Sequence, residues 1–300
     1  MKLLSALLII FSLFIFNIQQ AKSQEAAAYL VYDDFNLYHT SKDSSALVFV
    51  NMAYIRSEPS SKAELLDSIP LGTEVKFVEE LSLNPISLRG MYLPWHKIEY
   101  QKANQKKTGF IWLGLLSLDH VQNKKSGETF MYGFAWKSNE ELENYYWVEA
   151  KILNKNKELL ASKSFPYYPS EQSYTLGELN TKPGLNYAKS IYAIKFLGEA
   201  CGIASEENYF AWDGEQFTTL PKTTSVSDAG VFYYAEELVF PKKHQLGNDV
   251  ILKISEEGEA EFEEEANPEE EIKFKISKKE ETYQRNGNAY LKVSERTIQK

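Results

Sequence analysis

The side chains that most often carry out catalysis are few in this sequence and far apart along it. Cys201 is the single cysteine in 300 residues, and a cysteine nucleophile needs a nearby histidine to accept its thiol proton. Four histidines stand at scattered positions: His39, His96, His120 and His244. Because Cys201 follows an apolar stretch, we expect it to be buried and inert. The Gly-x-Ser-x-Gly motif of serine hydrolases is also missing, and we predict no catalytic nucleophile.

Metal and phosphate sites have no sequence motif here either. The His-Glu-x-x-His pattern and the two glycine-rich phosphate-binding patterns do not occur. Residues 256–271 contain ten glutamates, whose carboxylates could attract Ca²⁺. They lack the Asp/Asn and Gly alternation of a calcium-binding loop, so we interpret the segment as a solvated acidic insertion. We therefore expect no metal and no cofactor.

Paired carboxylates are the remaining route to hydrolytic chemistry. Glycoside hydrolysis needs two carboxyl groups held across a cleft, and neighbours such as Glu236 and Glu237 point to opposite sides of an extended strand. A pair formed by distant residues within 127–300 stays open. A hydrolase with such a site is therefore the alternative to a non-catalytic protein.

Aromatic side chains flanked by charges suggest binding rather than catalysis. In one predicted strand, Trp95 shares a face with Lys97 because alternate residues point the same way. A tryptophan beside charged residues is a candidate for stacking on a peptide or a sugar ring, although Trp95 could instead pack under the predicted loop at residues 81–94. Tyr54 and Arg56 share a face in the same manner. The candidate ligand-binding residues are thus Tyr54, Arg56, Trp95 and Lys97.

The charge distribution argues against a nucleic-acid partner. The chain has 33 Lys and Arg against 42 Asp and Glu, which gives a net charge of −9. Since the acidic insertion alone carries ten of those negative charges, the rest of the chain sums to +1. A near-neutral body has no basic field to attract a phosphate backbone.

The N-terminus has the pattern of a secretory signal peptide. Lys2 precedes a mostly apolar stretch of 14 residues, Leu3–Phe16, and small residues at positions −3 and −1 suit cleavage after Ser23. An uncleaved anchor is the alternative, but a bilayer span needs about 20 apolar residues. We predict a signal peptide at 1–23, a polar lead-in at 24–46 and a mature protein without a membrane span. We expect export to the periplasm or the cell exterior.

Residues 47–118 contain short extended runs separated by turns, and four blocks within them resemble a known family. The blocks are Val50–Ser61 (VNMAYIRSEPSS), Pro70–Val78 (PLGTEVKFV), Trp95–Ile98 (WHKI) and Thr108–Trp112 (TGFIW). Their order and spacing are similar to those of the bacterial SH3 domain (SH3b, type 3). Glu58 stands where the family usually has Gly, Phe110 replaces a second Trp, and residues 81–94 lengthen one loop. The resemblance implies a five-stranded SH3-like barrel of the kind that binds cell-wall material or proteins.

The remaining region, residues 127–300, also has the pattern of β-strands. Alternating apolar and polar residues predict a half-buried strand at Tyr146–Leu153. Asp213-Gly214 and Asn286-Gly287 each lie between two apolar arms, as in hairpins with two-residue turns. We predict an all-β fold, with an N-terminal SH3-like barrel followed by a larger β-sandwich or irregular barrel that contains the acidic insertion 256–271.

Together these features predict an exported, non-catalytic binding protein. Its SH3b module is expected to recognise peptidoglycan or a protein of the cell envelope. The envelope hydrolase is the alternative, and a structural subunit of a larger complex is a third hypothesis. An exposed row of aromatic residues would favour binding, whereas titratable groups with shifted pKa values converging in a pocket would favour an enzyme.

Overall fold

The computed structural model describes five ranges of the chain: residues 37–80, 82–138, 145–182, 184–261 and 273–298. Within them the protein is built almost wholly from β-strands in three sheets, with short 3₁₀ turns at Leu113–Leu115 and Pro241–Lys243. The prediction of an all-β fold is confirmed. The predicted signal peptide and most of the predicted lead-in lie outside the described residues. No helix in these ranges is long and apolar enough to cross a membrane.

The first sheet has seven strands: β1 (Ser45–Leu47), β2 (Met52–Arg56), β3 (Leu65–Pro70), β4 (Glu74–Phe77), β5 (Leu83–Leu88), β6 (Met91–Lys102) and β7 (Gln105–Trp112). Six of them run in the order β1-β4-β6-β7-β2-β3, and β5 pairs with β6. Leu37, Tyr38 and Ala46 are buried in the main core, and β1 begins at Ser45. The described end of the predicted lead-in is therefore part of the folded body.

Residues 83–94 form a hairpin arm, so the prediction of a loop at 81–94 was wrong where the structure describes it. β5 pairs with the first half of β6, and the turn between them places Arg89 and Gly90 at positive φ, 54° and 75°. Met91 and Leu93 are fully buried in the main core. The apolar surface that they remove from water stabilises the hairpin in spite of its loop-like composition.

The second sheet has four strands: β8 (Asp119–Gln122), β9 (Thr129–Lys137), β10 (Tyr146–Leu153) and β11 (Leu159–Tyr167), in the order β11-β10-β9-β8. β10 has the bounds that the alternating pattern predicted. The predicted domain boundary at residue 127 falls in the turn between β8 and β9, where Gly127 has a positive φ of 77°. The second sheet therefore starts before that boundary.

The third sheet has nine strands: β12 (Tyr174–Asn180), β13 (Ser190–Leu197), β14 (Ser205–Trp212), β15 (Phe217–Thr219), β16 (Thr223–Asp228), β17 (Phe232–Val239), β18 (Val250–Ala260), β19 (Phe274–Asn286) and β20 (Ala289–Ile298). Their order is β12-β13-β14-β15-β20-β19-β18-β17-β16, and β16 also pairs with β14. The seven strands from β14 to β20 thus form a closed ring of pairings.

Aromatic rings join the second sheet to the third. The ring of Phe130 stacks on that of Tyr192 with 4.4 Å between centroids, and the ring of Tyr167 stacks on that of Phe196 at 3.9 Å. All four side chains are buried. Such stacked pairs add to the stabilisation that burial alone gives, so this layer holds the second sheet against the third.

The opposite face of the second sheet packs on the first sheet. Met131 clusters there with Leu47 and Phe49. Lys151 donates a hydrogen bond to the backbone carbonyl of Phe49 (2.9 Å), and its ammonium lies 4.1 Å from the centre of the Phe49 ring. Glu149 lies 3.1 Å from the same ammonium and balances its charge. The first sheet therefore covers part of this face, but not all of it.

Both predicted hairpins in the third sheet are present, with turns that differ from the prediction. Residues 213–216 join β14 to β15, a loop of four residues rather than two, because Trp212 pairs with Phe217. The Asp213 carboxylate accepts two backbone N–H groups of this loop at 2.8 Å each, which stabilises the longer connection. β19 and β20 are joined by residues 287 and 288, one position later than predicted.

The predicted acidic insertion begins later than residue 256. β18 continues to Ala260 and pairs with β19 from Phe274 onwards, so that Glu256 lies opposite Lys278 and Glu259 lies opposite Lys275. These cross-strand pairs of opposite charge suit a strand. The first residues of the segment are therefore part of the sheet, and residues 262–272 lie outside the described ranges.

Candidate functional site

The predicted exposed tryptophan of the first sheet, Trp95, is buried. Its side chain is 4% exposed, because Leu83 of the β5 arm lies opposite it on one side and Trp112 lies opposite it on the other. Its indole N–H has no hydrogen-bond partner among the described residues. The prediction that Trp95 offers an exposed stacking surface was wrong, and the alternative, packing under residues 81–94, is what the structure has.

The other three predicted residues lie on the outer face of the first sheet. Lys97 and Arg56 are both paired in register with Phe110, so the three residues form one cross-strand row. Lys97 forms an ion pair with Glu79 at 2.9 Å, and the Arg56 guanidinium donates to a carbonyl of the β2–β3 connection, also at 2.9 Å. Tyr54, two residues before Arg56, is 51% exposed. This face therefore presents the exposed ring of Tyr54 beside two cations, Arg56 and Lys97, that already have partners.

A larger group of aromatic side chains lies on the second sheet. Trp136 of β9 is paired with Trp147 of β10, and their rings are 5.6 Å apart and tilted by 34°. Tyr145 lies 5.6 Å from Trp147 and 5.2 Å from Tyr168. Trp136 and Tyr168, at the two ends, are 44% and 50% exposed. We call these four residues the aromatic platform.

A β-bulge places Trp136 on this face. Phe130, Tyr132 and Phe134 alternate along β9 and are buried on the inner face, so strict alternation would send Trp136 inward as well. The register shifts here, because Trp147 pairs with Trp136 while Val148 pairs with Phe134. The residue between them, Ala135, is the extra one, and a bulge of this kind redirects the side chain that follows it.

The sequence patterns did not predict the aromatic platform. Trp136 sits in a run whose period-2 pattern indicates a core position, and a single-residue bulge leaves no signature in that pattern. The signal that was present is the density of aromatic residues in the segments Phe134–Trp136 and Tyr145–Trp147. Both segments flank the same connection between β9 and β10, where rings of adjacent strands can meet.

Cys201 is exposed, so the prediction that it is buried was wrong. It lines an open cavity of about 450 Å³ together with Ser225, Ser227 and Tyr233. The described residues that line this cavity include no histidine, so none supplies the base that a thiol nucleophile needs.

Two of the four histidines, His96 and His39, have structural surroundings. Burial lowers the pKa of His96 to about 4, and its ring lies edge-on to Phe77 with 5.3 Å between centroids. The Nε2 atom of His39 lies 3.0 Å from the backbone carbonyl oxygen of Thr175. Within the described ranges, no group of three or more His, Cys, Asp or Glu is arranged to hold a metal ion.

The carboxylates of the third sheet are held by lysines. Lys195 lies between Glu178 and Glu207, at 3.0 and 3.2 Å. Lys253 lies in the same way between Glu236 and Glu281, at 2.8 and 3.3 Å. An ammonium between two carboxylates favours their ionised form.

The carboxyl groups with shifted pKa values are shifted in the direction opposite to the one that a general acid needs. Every carboxyl group whose pKa departs clearly from its ordinary value within the described part of the chain has it lowered: Asp43, Asp67, Asp213, Glu281 and Glu295. A glycosidase-type acid needs a raised pKa. None of these five groups has the property that the hydrolase alternative requires.

Comparison with family models, with curated proteins and with solved structures finds no match to this chain.

Proposed function

We propose that this chain is an exported, non-catalytic protein that binds cell-envelope material through the aromatic platform. The observation that carries the proposal is the contiguous row of rings from Trp136 to Tyr168, exposed at both ends. Large exposed aromatic side chains cost free energy in water, and they are enriched where proteins bind partners. A binding role would account for the free-energy cost of exposing these rings.

Two features of the sequence support export and an envelope ligand. The N-terminal 23 residues have the pattern of a cleaved signal peptide. The four blocks in residues 47–118 resemble the SH3b family, whose members commonly bind cell-wall material or proteins. The exposed face with Tyr54 is a second, smaller surface that could take part in the same binding.

Co-sedimentation with purified, insoluble peptidoglycan tests the proposal. The mature chain, residues 24–300, is compared with a double variant, Trp136→Ala with Trp147→Ala, and with Leu160→Ala, which removes an exposed apolar side chain from β11 of the same sheet. We expect the wild type and Leu160→Ala to sediment alike and the double variant to stay in solution.

The variants are compared at equal folded fraction, checked by circular dichroism and by the urea midpoint. A double variant that is folded and sediments as well as the wild type would overturn the platform as the binding surface. Tyr54→Ala, run in the same series, shows whether the smaller surface carries the binding instead.

A further inference from the structure

The side chains of the platform are all aromatic, and their row continues into a proline. Trp136 is paired with Trp147, and Trp147 is paired with Pro166 of β11, so ring-bearing residues occupy neighbouring positions on three strands. The exposed patch on β2 and β3 is different, because Met52, Leu65 and Leu66 supply flexible aliphatic chains there. Flexible side chains adapt to protein partners of varied shape, whereas rigid aromatic faces suit a rigid, flat ligand.

The spacing of the rings is regular. Successive centroids from Tyr168 through Tyr145 and Trp147 to Trp136 are 5.2, 5.6 and 5.6 Å apart. The Tyr145 ring is only 8% exposed and stands at 70° to the Trp147 ring, so it offers little of its face to a ligand. The rings of Trp136 and Trp147 are tilted by 34°, and their separation of 5.6 Å is close to the length of one pyranose residue in a β-1,4-linked strand. The apolar C–H face of a pyranose can therefore lie over one of these two rings while the next residue of the strand reaches the other.

The charge of the surroundings favours an uncharged ligand. The platform has no ionisable group other than the two tyrosines. Glu149, next on the same face of β10, is 3.1 Å from Lys151 and is balanced by it. The ammonium of Lys137 lies 5.7 Å from the centre of the ring of Tyr146, a side chain of the buried face. Among the described residues around the platform, Lys151 is paired with a carboxylate and Lys137 is directed at a ring of the buried face, so they form no cluster of cations for an acidic peptide or a polyanion.

Two side chains of the platform, Trp136 and Trp147, have indole N–H groups without a hydrogen-bond partner among the described residues. Indole is a donor only, so its partner in a ligand has to be an acceptor. Sugar hydroxyl and ring oxygens are acceptors that lie at the rim of a stacked pyranose.

We infer that the aromatic platform binds neutral pyranose units of a glycan strand, through stacking on Trp136 and Trp147 and hydrogen bonds from their indole N–H groups. This inference rests on the proposed function and names its ligand class. The ligand lies across β9, β10 and β11, on the part of the face that the first sheet leaves uncovered.

Titration calorimetry with soluble oligosaccharides tests the inference. The probes are chitohexaose and cellohexaose, which are neutral and β-1,4-linked, and oligogalacturonate of similar length, which is anionic. We expect a neutral probe to bind the mature chain and Trp136→Ala to weaken it by about tenfold or more. Trp136→Phe keeps the flat ring but removes the N–H, and we expect it to lose less than the alanine variant. Leu160→Ala is the matched control.

The outcomes separate the inference from the proposed function. If peptidoglycan sedimentation depends on Trp136 but neither neutral probe binds at millimolar concentration, the glycan inference is overturned and the binding function stands. Preference for oligogalacturonate would also overturn it. If a neutral probe binds and Trp136→Ala binds it equally well, the platform is not the glycan site.

Discussion

Two regions of the molecule are held together by different kinds of contact. One is the aromatic layer between the second and third sheets, and the other is the meander β17–β20. In the aromatic layer, rings such as Phe130 and Tyr192 are buried and stack directly. In the meander, residues 291–297 of β20 are exposed throughout, and ion pairs link neighbouring strands. Lys292 of β20, for example, lies 3.0 Å from Glu281 of β19.

The difference shows how burial determines the contribution of a contact to the free energy of unfolding. A buried ring loses its whole transfer free energy when it is truncated, together with a cavity cost. An exposed ion pair is screened by water and contributes little. Glu281 is intermediate, because its side chain is only 12% exposed and it is held by Lys253, Lys292 and Tyr283. The aromatic layer should therefore dominate stability, and within the meander Glu281 should matter most.

Truncation in the aromatic layer should give the largest effect. Phe130→Ala removes a fully buried ring, and we expect it to lower the free energy of unfolding by about 3–5 kcal/mol. Leu291→Ala, in the exposed part of β20, should change it by less than about 0.5 kcal/mol. Urea denaturation measures both, and similar losses for the two variants would contradict the comparison.

As the pH falls, the protein should lose stability first through the buried His96 and only at lower pH through the ion pairs of the meander. Burial lowers the pKa of His96 to about 4, while the unfolded chain titrates near pH 6.5. The unfolded state therefore binds the extra proton first, and about 3 kcal/mol of stability is lost as the pH falls from 6.5 to 4. His96→Leu should flatten the pH dependence of the urea midpoint in this window. An unchanged slope would show that His96 is not the group that titrates.

Glu281 should give the second acid window, at lower pH. Burial alone would raise its pKa, but hydrogen bonds from Tyr283 and Lys292 and the charge of Lys253 outweigh burial and lower the pKa to about 2. The stabilisation is present above the unfolded value near 4.3 and is lost as the pH falls to 2. After allowance for solvent screening, Glu281→Gln should cost about 1–2 kcal/mol at pH 7. The difference from wild type should vanish near pH 2, and a difference that persists there would contradict the electrostatic origin.

The outermost ion pair should give the smallest effect. Arg296 lies 2.8 Å from Glu280, but its side chain is 72% exposed. Arg296→Ala should leave the urea midpoint unchanged within error in 1 M salt, where exposed pairs are screened. A clear loss at that salt concentration would show that the pair is less solvated than its exposure indicates.

Sequence patterns anticipated the strands better than the exposure of individual side chains. The alternation in Tyr146–Leu153 predicted a strand, and β10 has those bounds, although Lys151 and Leu153 on its polar face are buried as well. The two glycine-containing turns marked real hairpins, although side-chain capping by Asp213 lengthened one loop. Local residue preferences act within a few positions, which is why they are readable from sequence.

The candidate site depended on non-local packing, which alternation does not encode. Trp95 shares a face with Lys97 as predicted, yet the β5 arm covers it. Trp136 has the alternation of a core residue, yet the extra residue Ala135 turns it outward. In both cases one neighbouring strand decides the exposure, and the pairing partner of a strand is a property of the whole fold.

The most direct test of the account compares the two surfaces in one experiment. The fraction of mature chain that sediments with insoluble peptidoglycan is measured for wild type, Trp136→Ala and Tyr54→Ala, each at equal folded fraction. The account predicts that Trp136→Ala loses most of the bound fraction while Tyr54→Ala keeps most of it. Retention by Trp136→Ala, with loss by Tyr54→Ala, would contradict the central claim and assign the binding to the first sheet.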